Sequence, residues 1–440
     1  MLLNPFNRRV REREGFPVLP GGFPLVGHLP TLTTDTLSLM RHAEKTLGDF
    51  FWMKAAFGRY SLYCLHPDVF SIFKNKVTSS TFLGEVASDF LGRSLLVHDG
   101  ATHKHMRGAM NGPFLPPGLT AAGTGAILAD LIDKAVRGWP QREPFKILAA
   151  TRELILAAIF QIMGIPESDL PSWRKNYEHY VMLALNLPGP TRWRGWKARL
   201  WLNEHLMVFV NEARRRPDMP GLLAALVHSR DEEGSGLTDE ELLDNLRLLV
   251  LAGHETSAST MAWMVYVLAE RADAWEALCA EAASVGAVPR SPKELKQFPY
   301  AEAVFRETLR LYPVVSTDAR RAIADFEMGG RAIKNGTQLS ISIAHLSRHS
   351  SLYDKPDDFM PERWLKKTEA ISPIEIAQFG GGPHFCLGYH VAWMEIVQFA
   401  VSLALTLRER GLRPKLAGSP PGKRFLPLLH PSAGTKVMFG

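Results

Sequence analysis

The sequence predicts a mainly α-helical chain with a minor antiparallel β region. Three observations carry that expectation. Helical spacing of apolar residues dominates as far as roughly position 312. Two short stretches, at about 49–65 and 324–346, mix apolar and polar residues around glycine turns, as strands do. One helical run, from Thr238 to about Ala269, is apolar nearly all round, as befits a helix that crosses the centre of a molecule.

Taken in order, the first 30 or so residues are rich in proline and glycine (Pro17, Pro20, Gly21, Gly22, Pro24) and read as an extended leading segment. Its only early apolar run is three residues long and is broken by Asn4 and Pro5, so it resembles neither a signal peptide nor a membrane span. Residues 49–65 read as a hairpin about Gly58. Helices then follow one another up to the long run, where Thr238 and Glu241 have the spacing of a capping box. At 324–346 the pairs Gly329-Gly330 and Asn335-Gly336 mark two turns between strands. A last helix is expected from about Leu387 to Arg410, with an extended tail after it.

Composition narrows the function. The chain has 440 residues, 46% hydrophobic and 22% charged, which is close to the soluble globular average and excludes a disordered or fibrous chain. Its formal charge of +6 is too dilute for a nucleic-acid protein, though it suits an acidic partner. Three cysteines, Cys64, Cys279 and Cys386, exclude a disulfide framework and point to a reducing, cytoplasmic setting. No stretch of about 20 residues is free of charge, so no transmembrane anchor is expected.

Two places break local rules. The long helix carries Ala252-Gly253-His254-Glu255-Thr256 in its middle. A mid-helix glycine costs about 1 kcal/mol against alanine, and a buried carboxylate costs more unless it is paired. Close packing at Gly253 with an ion pair at Glu255 would explain this; so would a site. The second place is Phe379-Gly380-Gly381-Gly382-Pro383-His384-Phe385-Cys386-Leu387-Gly388, which leads straight into a helix. A cysteine at a helix start meets unpaired backbone N–H groups and the positive end of the dipole, which favour a thiolate. No second Cys or His stands at zinc spacing from it. A nucleophile and an axial ligand to a planar metal cofactor both remain open.

The loop 379–388 resembles the cysteine-ligand loop of the cytochrome P-450 family of haem–thiolate monooxygenases: Phe, two residues, Gly, three residues, Cys, one residue, Gly. Three more motifs follow the family's order. Glu307 and Arg310 in FRETLRLYP resemble its Glu-x-x-Arg pair, Pro361-Glu362-Arg363 its arginine motif, and 252–256 its oxygen-binding turn. The resemblance implies the P-450 fold in one domain over 1–440, of the soluble bacterial type, with no fused reductase. It implies haem b with Cys386 as axial ligand and Phe379, Gly380, Gly388, Ala252 and Gly253 lining the cofactor. His103, Arg107, Arg320 and His384 are implied as partners of the propionates. Thr256 and Glu255 are implied as the acid–alcohol pair that delivers protons, which favours use of O2 over peroxide. Glu307, Arg310 and Arg363 are implied as a structural charge network; Glu307 and Arg310, three apart on a helix, share a face.

By the same resemblance, the substrate pocket would be walled by Phe82, Leu83, Val86 and Phe90, by Leu249 and Ala252, by Val314, Val315 and Thr317, and by Leu428. These residues are apolar or small, which suits a terpenoid, steroid, fatty acid or polyketide. Hydroxylation or epoxidation is the expected outcome; desaturation, coupling or isomerisation in the same fold, or a haem sensor or carrier, is the alternative. A cofactor-free cysteine hydrolase is a third class, which a colourless protein would reveal. Electrons would come from a ferredoxin or flavodoxin with its reductase, and the chain is expected to be a monomer. The segment 191–199, with Trp193 and Trp196 among Arg192, Arg194, Lys197 and Arg199, reads as a solvated lid, with a membrane-surface contact as the other reading.

Overall fold

The computed structural model describes residues 3–4, 9–55, 58–73, 76–165, 170–185, 189–365, 377–425 and 428–440. Helices form most of it; strands lie in the two predicted regions, the leading segment and the tail, and also, unpredicted, at Thr78–Ser79, Phe145–Lys146, Asp318–Ala322, Pro414–Leu416 and Lys423–Arg424.

The leading segment forms a small hairpin, Arg11–Arg13 with Phe16–Val18. The aromatic stretch forms strands Phe50–Lys54 and Tyr60–Cys64, paired antiparallel with Phe50 opposite Cys64. The strands Asp318–Ala322 and Gln338–Ile341 join them, so that one seven-stranded sheet gathers strands from the leading part of the chain and from 318–341. Its pairings are antiparallel except two. Val18 lies parallel to Trp52, and Gln338–Ile341 runs parallel to Tyr60–Cys64 with Leu339 beside Leu62. A parallel pair needs a long crossover, and here almost the whole helical body provides it. The Gly329-Gly330 turn closes its own two-stranded hairpin, Phe326–Met328 with Arg331–Ile333.

The long helix runs Asp239–Glu270 and begins with the predicted capping box. Thr238 N–H donates to Glu241 at 3.0 Å and Glu241 N–H donates back to the Thr238 hydroxyl at 3.3 Å. Its C-terminal half, from Ser257 to Val265, is buried throughout. Helices Ile147–Met163, Pro299–Leu311 and Tyr389–Glu409 pack on it. Gly253 lies where the first of these comes close: a Cβ there would sit 3.2 Å from Ile159 Cδ1. Each Leu, Val or Phe fully buried in such a core contributes about 1.5–3 kcal/mol.

Helix Tyr389–Glu409 is long and apolar enough to cross a membrane on composition alone, but most of it is buried inside the protein. Its apolar residues, among them Met394, Val397, Phe399 and Leu403, belong to the main core. The expected tail is extended as predicted, with Lys436–Phe439 pairing against Pro414–Leu416 and Phe145–Lys146.

Candidate active site

The glycine loop is held by its own backbone. Cys386 N–H donates to the Phe379 carbonyl at 2.8 Å and Phe385 N–H to the Gly382 carbonyl at 3.2 Å. Gly380 and Gly382 have φ of +74° and +59°, the left-handed region that glycine enters without strain. A Cβ on Gly381 would fall 2.7 Å from the Phe73 ring, so the loop lies flush on that side chain. Cys386 sits three residues before helix Tyr389–Glu409, and Gly388 is its N-cap. Burial pushes the Cys386 thiol up, while the Gly388 N–H and the Arg107 charge pull the other way. The dipole argument from sequence is thus outweighed by desolvation in the protein alone. A bound metal cation removes that conflict, because a coordinating thiol is deprotonated outright.

The four predicted cations do gather round this loop. His103 and Arg107 lie on helix Gly100–Phe114. Arg107 Nη1 donates to the Phe385 carbonyl at 2.6 Å. The His103 and His384 rings are 4.3 Å apart. Arg320, on strand Asp318–Ala322, lies over the Phe73 ring at 5.4 Å, the same ring that backs Gly381. Three of the four are already engaged with protein acceptors: Arg107 with Phe385, Arg320 with Asp318 at 3.1 Å, and His384 with Asp99 at 2.6 Å. The exception is His103, whose buried Nε2 has no partner. Burial, then the charges of His384 and Arg107, push its pKa down to about 4, so at neutral pH it offers a neutral N–H donor.

On the long helix, Glu255 is half-buried and paired. Arg152 of helix Ile147–Met163 donates to it through Nη2 at 2.7 Å and Nε at 3.1 Å. His254 is tied to the same neighbour, its Nε2 donating to the Arg152 carbonyl at 2.9 Å. The Thr256 hydroxyl donates back to the Ala252 carbonyl one turn earlier. Ala252 itself is exposed, although the helix around it lies in the core. That open surface, the orphaned His103 Nε2 and a single thiol beside a guanidinium together fit a planar group carrying a metal and carboxylates.

Glu307, Arg310 and Arg363 meet as predicted. Glu307 and Arg310 are fully buried and form a bidentate pair, both contacts 2.8 Å. Arg363 Nε donates to the same carboxylate at 3.0 Å, as do Met360 N–H at 2.9 Å and Trp364 Nε1 at 3.0 Å. Arg310 then donates to the Ser347, Pro356 and Asp358 carbonyls. Gln378, next to Phe379, donates to the Ser347 hydroxyl at 3.5 Å. The network therefore reaches the root of the glycine loop.

The predicted pocket residues scatter more widely. Phe82, Leu83, Val86 and Phe90 share helix Phe82–Leu91, whose backbone leaves helical geometry at Ala87. Phe90 packs on Tyr180 at 5.0 Å between ring centres, and Phe82 lies under Arg321. Phe90 and Val314 are core residues, with Leu83, Leu249 and Leu428 packed against the same core. Val315 packs instead on the cluster under the large sheet, Thr317 is half-buried, and Val86 is exposed. Sequence reasoning missed Arg152, Asp99 and Glu395. Only Glu395 left a local trace, a carboxylate at a core position of an apolar helix. The other two act through contacts far along the chain.

This fold, with a lone thiol in a glycine loop leading into a helix that packs on the long central helix, is that of a haem–thiolate enzyme. The family model described as Cytochrome P450 matches residues 17–409. "Cytochrome P450 BJ-4 homolog" of Sinorhizobium fredii is 44% identical over 100% of this chain and 99% of its own. The chain belongs to the cytochrome P450 family. A more distant relative, "Cyclooctat-9-en-7-ol 5-monooxygenase" of Streptomyces melanosporofaciens, is 28% identical over 89% of each chain. The solved structure "Retinoic acid bound cyanobacterial CYP120A1" superposes with a TM-score of 0.83 at 22% identity, covering 95% of this chain and 97% of the other. The protein is a haem–thiolate monooxygenase, with O2, a hydrophobic substrate and redox partner proteins as its reactants and partners.

Proposed function

We propose that Cys386 would supply the thiolate that ligates the haem iron and that His103, Arg107, Arg320 and His384 would hold the haem propionates. The observation that carries this reading is the lone thiol with the Gly388 N–H and Arg107 beside it, next to a buried His103 nitrogen that has no partner. Phe379, Gly380 and Gly388 would wall the thiol side of the haem, and Ala252 and Gly253 of the long helix its other side. Haem held there supplies the activation of O2 with two electrons and the insertion of one oxygen atom into an unactivated bond.

The chain's own residues place substrate and move protons. Glu255 accepts a proton from solvent when it leaves Arg152. Thr256 Oγ1, once turned away from the Ala252 carbonyl, gives its own proton towards the reaction site and takes the proton from Glu255 in its place. Glu307, Arg310 and Arg363 keep the glycine loop in position and take no part in the chemistry.

Hydroxylation or epoxidation of a terpenoid is the reading we favour over a steroid, fatty acid or polyketide. The apolar positions Phe82, Leu83, Val86, Phe90, Leu249, Val314, Val315 and Leu428, with Thr317 as a single hydroxyl, support it. So does the relative named for a cyclic alcohol built on a hydrocarbon skeleton. A separate ferredoxin or flavodoxin with its reductase brings the electrons to a monomer in the cytoplasm.

Carbon monoxide added to the reduced protein tests the ligand. A strongly red-shifted Soret band in the wild type, absent from Cys386→Ala, is expected. The same band in both would withdraw Cys386. A terpenoid panel that shifts the haem spin state, against fatty acids that do not, would bear out the substrate class.

A further inference from the structure

Outside the residues assigned to haem, two elements far apart in sequence bring three metal-ligand side chains together. His345 and His349 stand four apart on the segment after strand Gln338–Ile341. Helical bonds from Ser347 N–H to Ile343 (2.8 Å) and from His349 N–H to Leu346 (3.1 Å) hold that segment. The two rings therefore share a face, with centres 5.9 Å apart. Both Nε2 atoms point at one oxygen, Oε1 of Glu44 on helix Thr36–Leu47, at 3.0 Å from His345 and 3.3 Å from His349.

Those spacings are close to what a cation imposes. Ligand atoms about 2.0–2.1 Å from a tetrahedral metal lie about 3.3 Å from one another. All three atoms here fall within 4.8 Å of each other, so only the His–His edge has to adjust. His349 Nδ1 is 2.6 Å from the Ser351 hydroxyl and accepts from the Ser351 N–H at 3.3 Å; ligation through Nε2 moves the ring proton to Nδ1, which then donates to that hydroxyl. The His345 Nδ1 is buried with no protein partner; ligation through Nε2 puts the ring proton on that nitrogen, so this ligand lacks the outer acceptor that most ligating histidines have. The two guanidinium groups nearby, Arg41 and Arg348, are both turned to Asp357, at 2.6 and 3.1 Å.

We propose that Glu44, His345 and His349 form a site for a divalent transition metal of the zinc class, clasping helix Thr36–Leu47 to the segment that follows strand Gln338–Ile341. Two imidazoles and one carboxylate select zinc, copper, nickel or cobalt over magnesium or calcium. Three protein ligands leave a fourth position for water.

The test uses the haem-loaded full-length protein, stripped with a chelator and dialysed against zinc chloride, with bound zinc read by plasma mass spectrometry. One zinc per wild-type chain is expected, with at least tenfold weaker binding in Glu44→Gln and in His349→Ala. Zinc should raise the unfolding temperature of the wild type and leave both variants unmoved. His349 is partly exposed, so its replacement leaves the fold intact even if Glu44→Gln or His345→Ala does not. Zinc bound as tightly by His349→Ala as by the wild type, or no zinc in the wild type, overturns the site. The carbon monoxide band should be the same in all of these proteins, which keeps this outcome separate from the haem assignment.

Discussion

Glu255 and Thr256 are neighbours on the long helix, and in the proposed relay each has a different partner to give up before a proton can pass. The carboxylate is clamped by two N–H groups of Arg152, and the hydroxyl is turned to its own helix. A positioned acid or base contributes about 10²–10⁴-fold to such a transfer. Glu255→Gln should therefore slow product formation about 10²-fold. Thr256→Ala should keep electron consumption while lowering product made per electron; the ratio of substrate oxidised to reductant consumed measures both. Glu395 makes a separate prediction. It is wholly buried on the cysteine helix, accepts from the Ser257 hydroxyl, and burial raises its pKa from 4.5 to about 7. The folded protein thus keeps a proton that the unfolded chain gives up above pH 4.5. Stability is undiminished below pH 4.5, falls as pH rises from about 4.5 to 7, and by about pH 8 has lost roughly 3 kcal/mol. Urea unfolding between pH 5 and 8 should show that slope in the wild type and a flatter profile in Glu395→Gln.

At the scale of elements, helix Pro299–Leu311 is fixed by a charge pair that water does not reach. Glu307 accepts from five donors, counting both Arg310 contacts with those of Arg363, Met360 and Trp364, so its lone pairs are well satisfied. Removing one partner of a buried pair leaves an uncompensated charge and costs about 3–5 kcal/mol. Arg310→Met should unfold the protein at lower urea by that amount, and what remains folded should hold less haem, read as the Soret-to-protein absorbance ratio. Arg363→Ala should cost less, because Arg363 lies toward the surface. The element boundaries themselves were largely legible: the hairpin about Gly58, the capping box at Thr238 and the final helix all stand where periodicity and turn residues put them. The kink at Ala87 was not, because neither proline nor glycine stands at that position.

For the whole molecule, the surplus of six positive charges becomes an argument about association. Lys104, exposed on the helix that carries His103 and Arg107, leans on Glu232 at 3.6 Å, a surface pair that contributes little. It remains available to an acidic electron donor. Electrostatic steering speeds association about 10–10³-fold and fades as salt screens it. The rate of reduction by an acidic ferredoxin should fall about tenfold or more from low to high salt, and Lys104→Glu should lower it further at low salt only. Stopped-flow absorbance in carbon monoxide measures both.

The sequence by itself determined what depends on neighbours a few residues apart. Helical period, the Thr238 cap, the glycine turns, the shared face of Glu307 and Arg310 and the loop around Cys386 all follow from local backbone and side-chain geometry. Tertiary structure alone decided what depends on burial and on contacts across the chain. It paired Glu255 with Arg152, 103 residues away, and Glu44 with His345, 301 residues away. It set strand Gln338–Ile341 parallel to Tyr60–Cys64, turned His384 to Asp99, and left His103 Nε2 without a partner. It also reversed the balance at Cys386, where desolvation outweighs the helix end. The period of a segment tells which face it will bury; which distant side chain meets that face, and how much water stays between them, is fixed only when the elements pack.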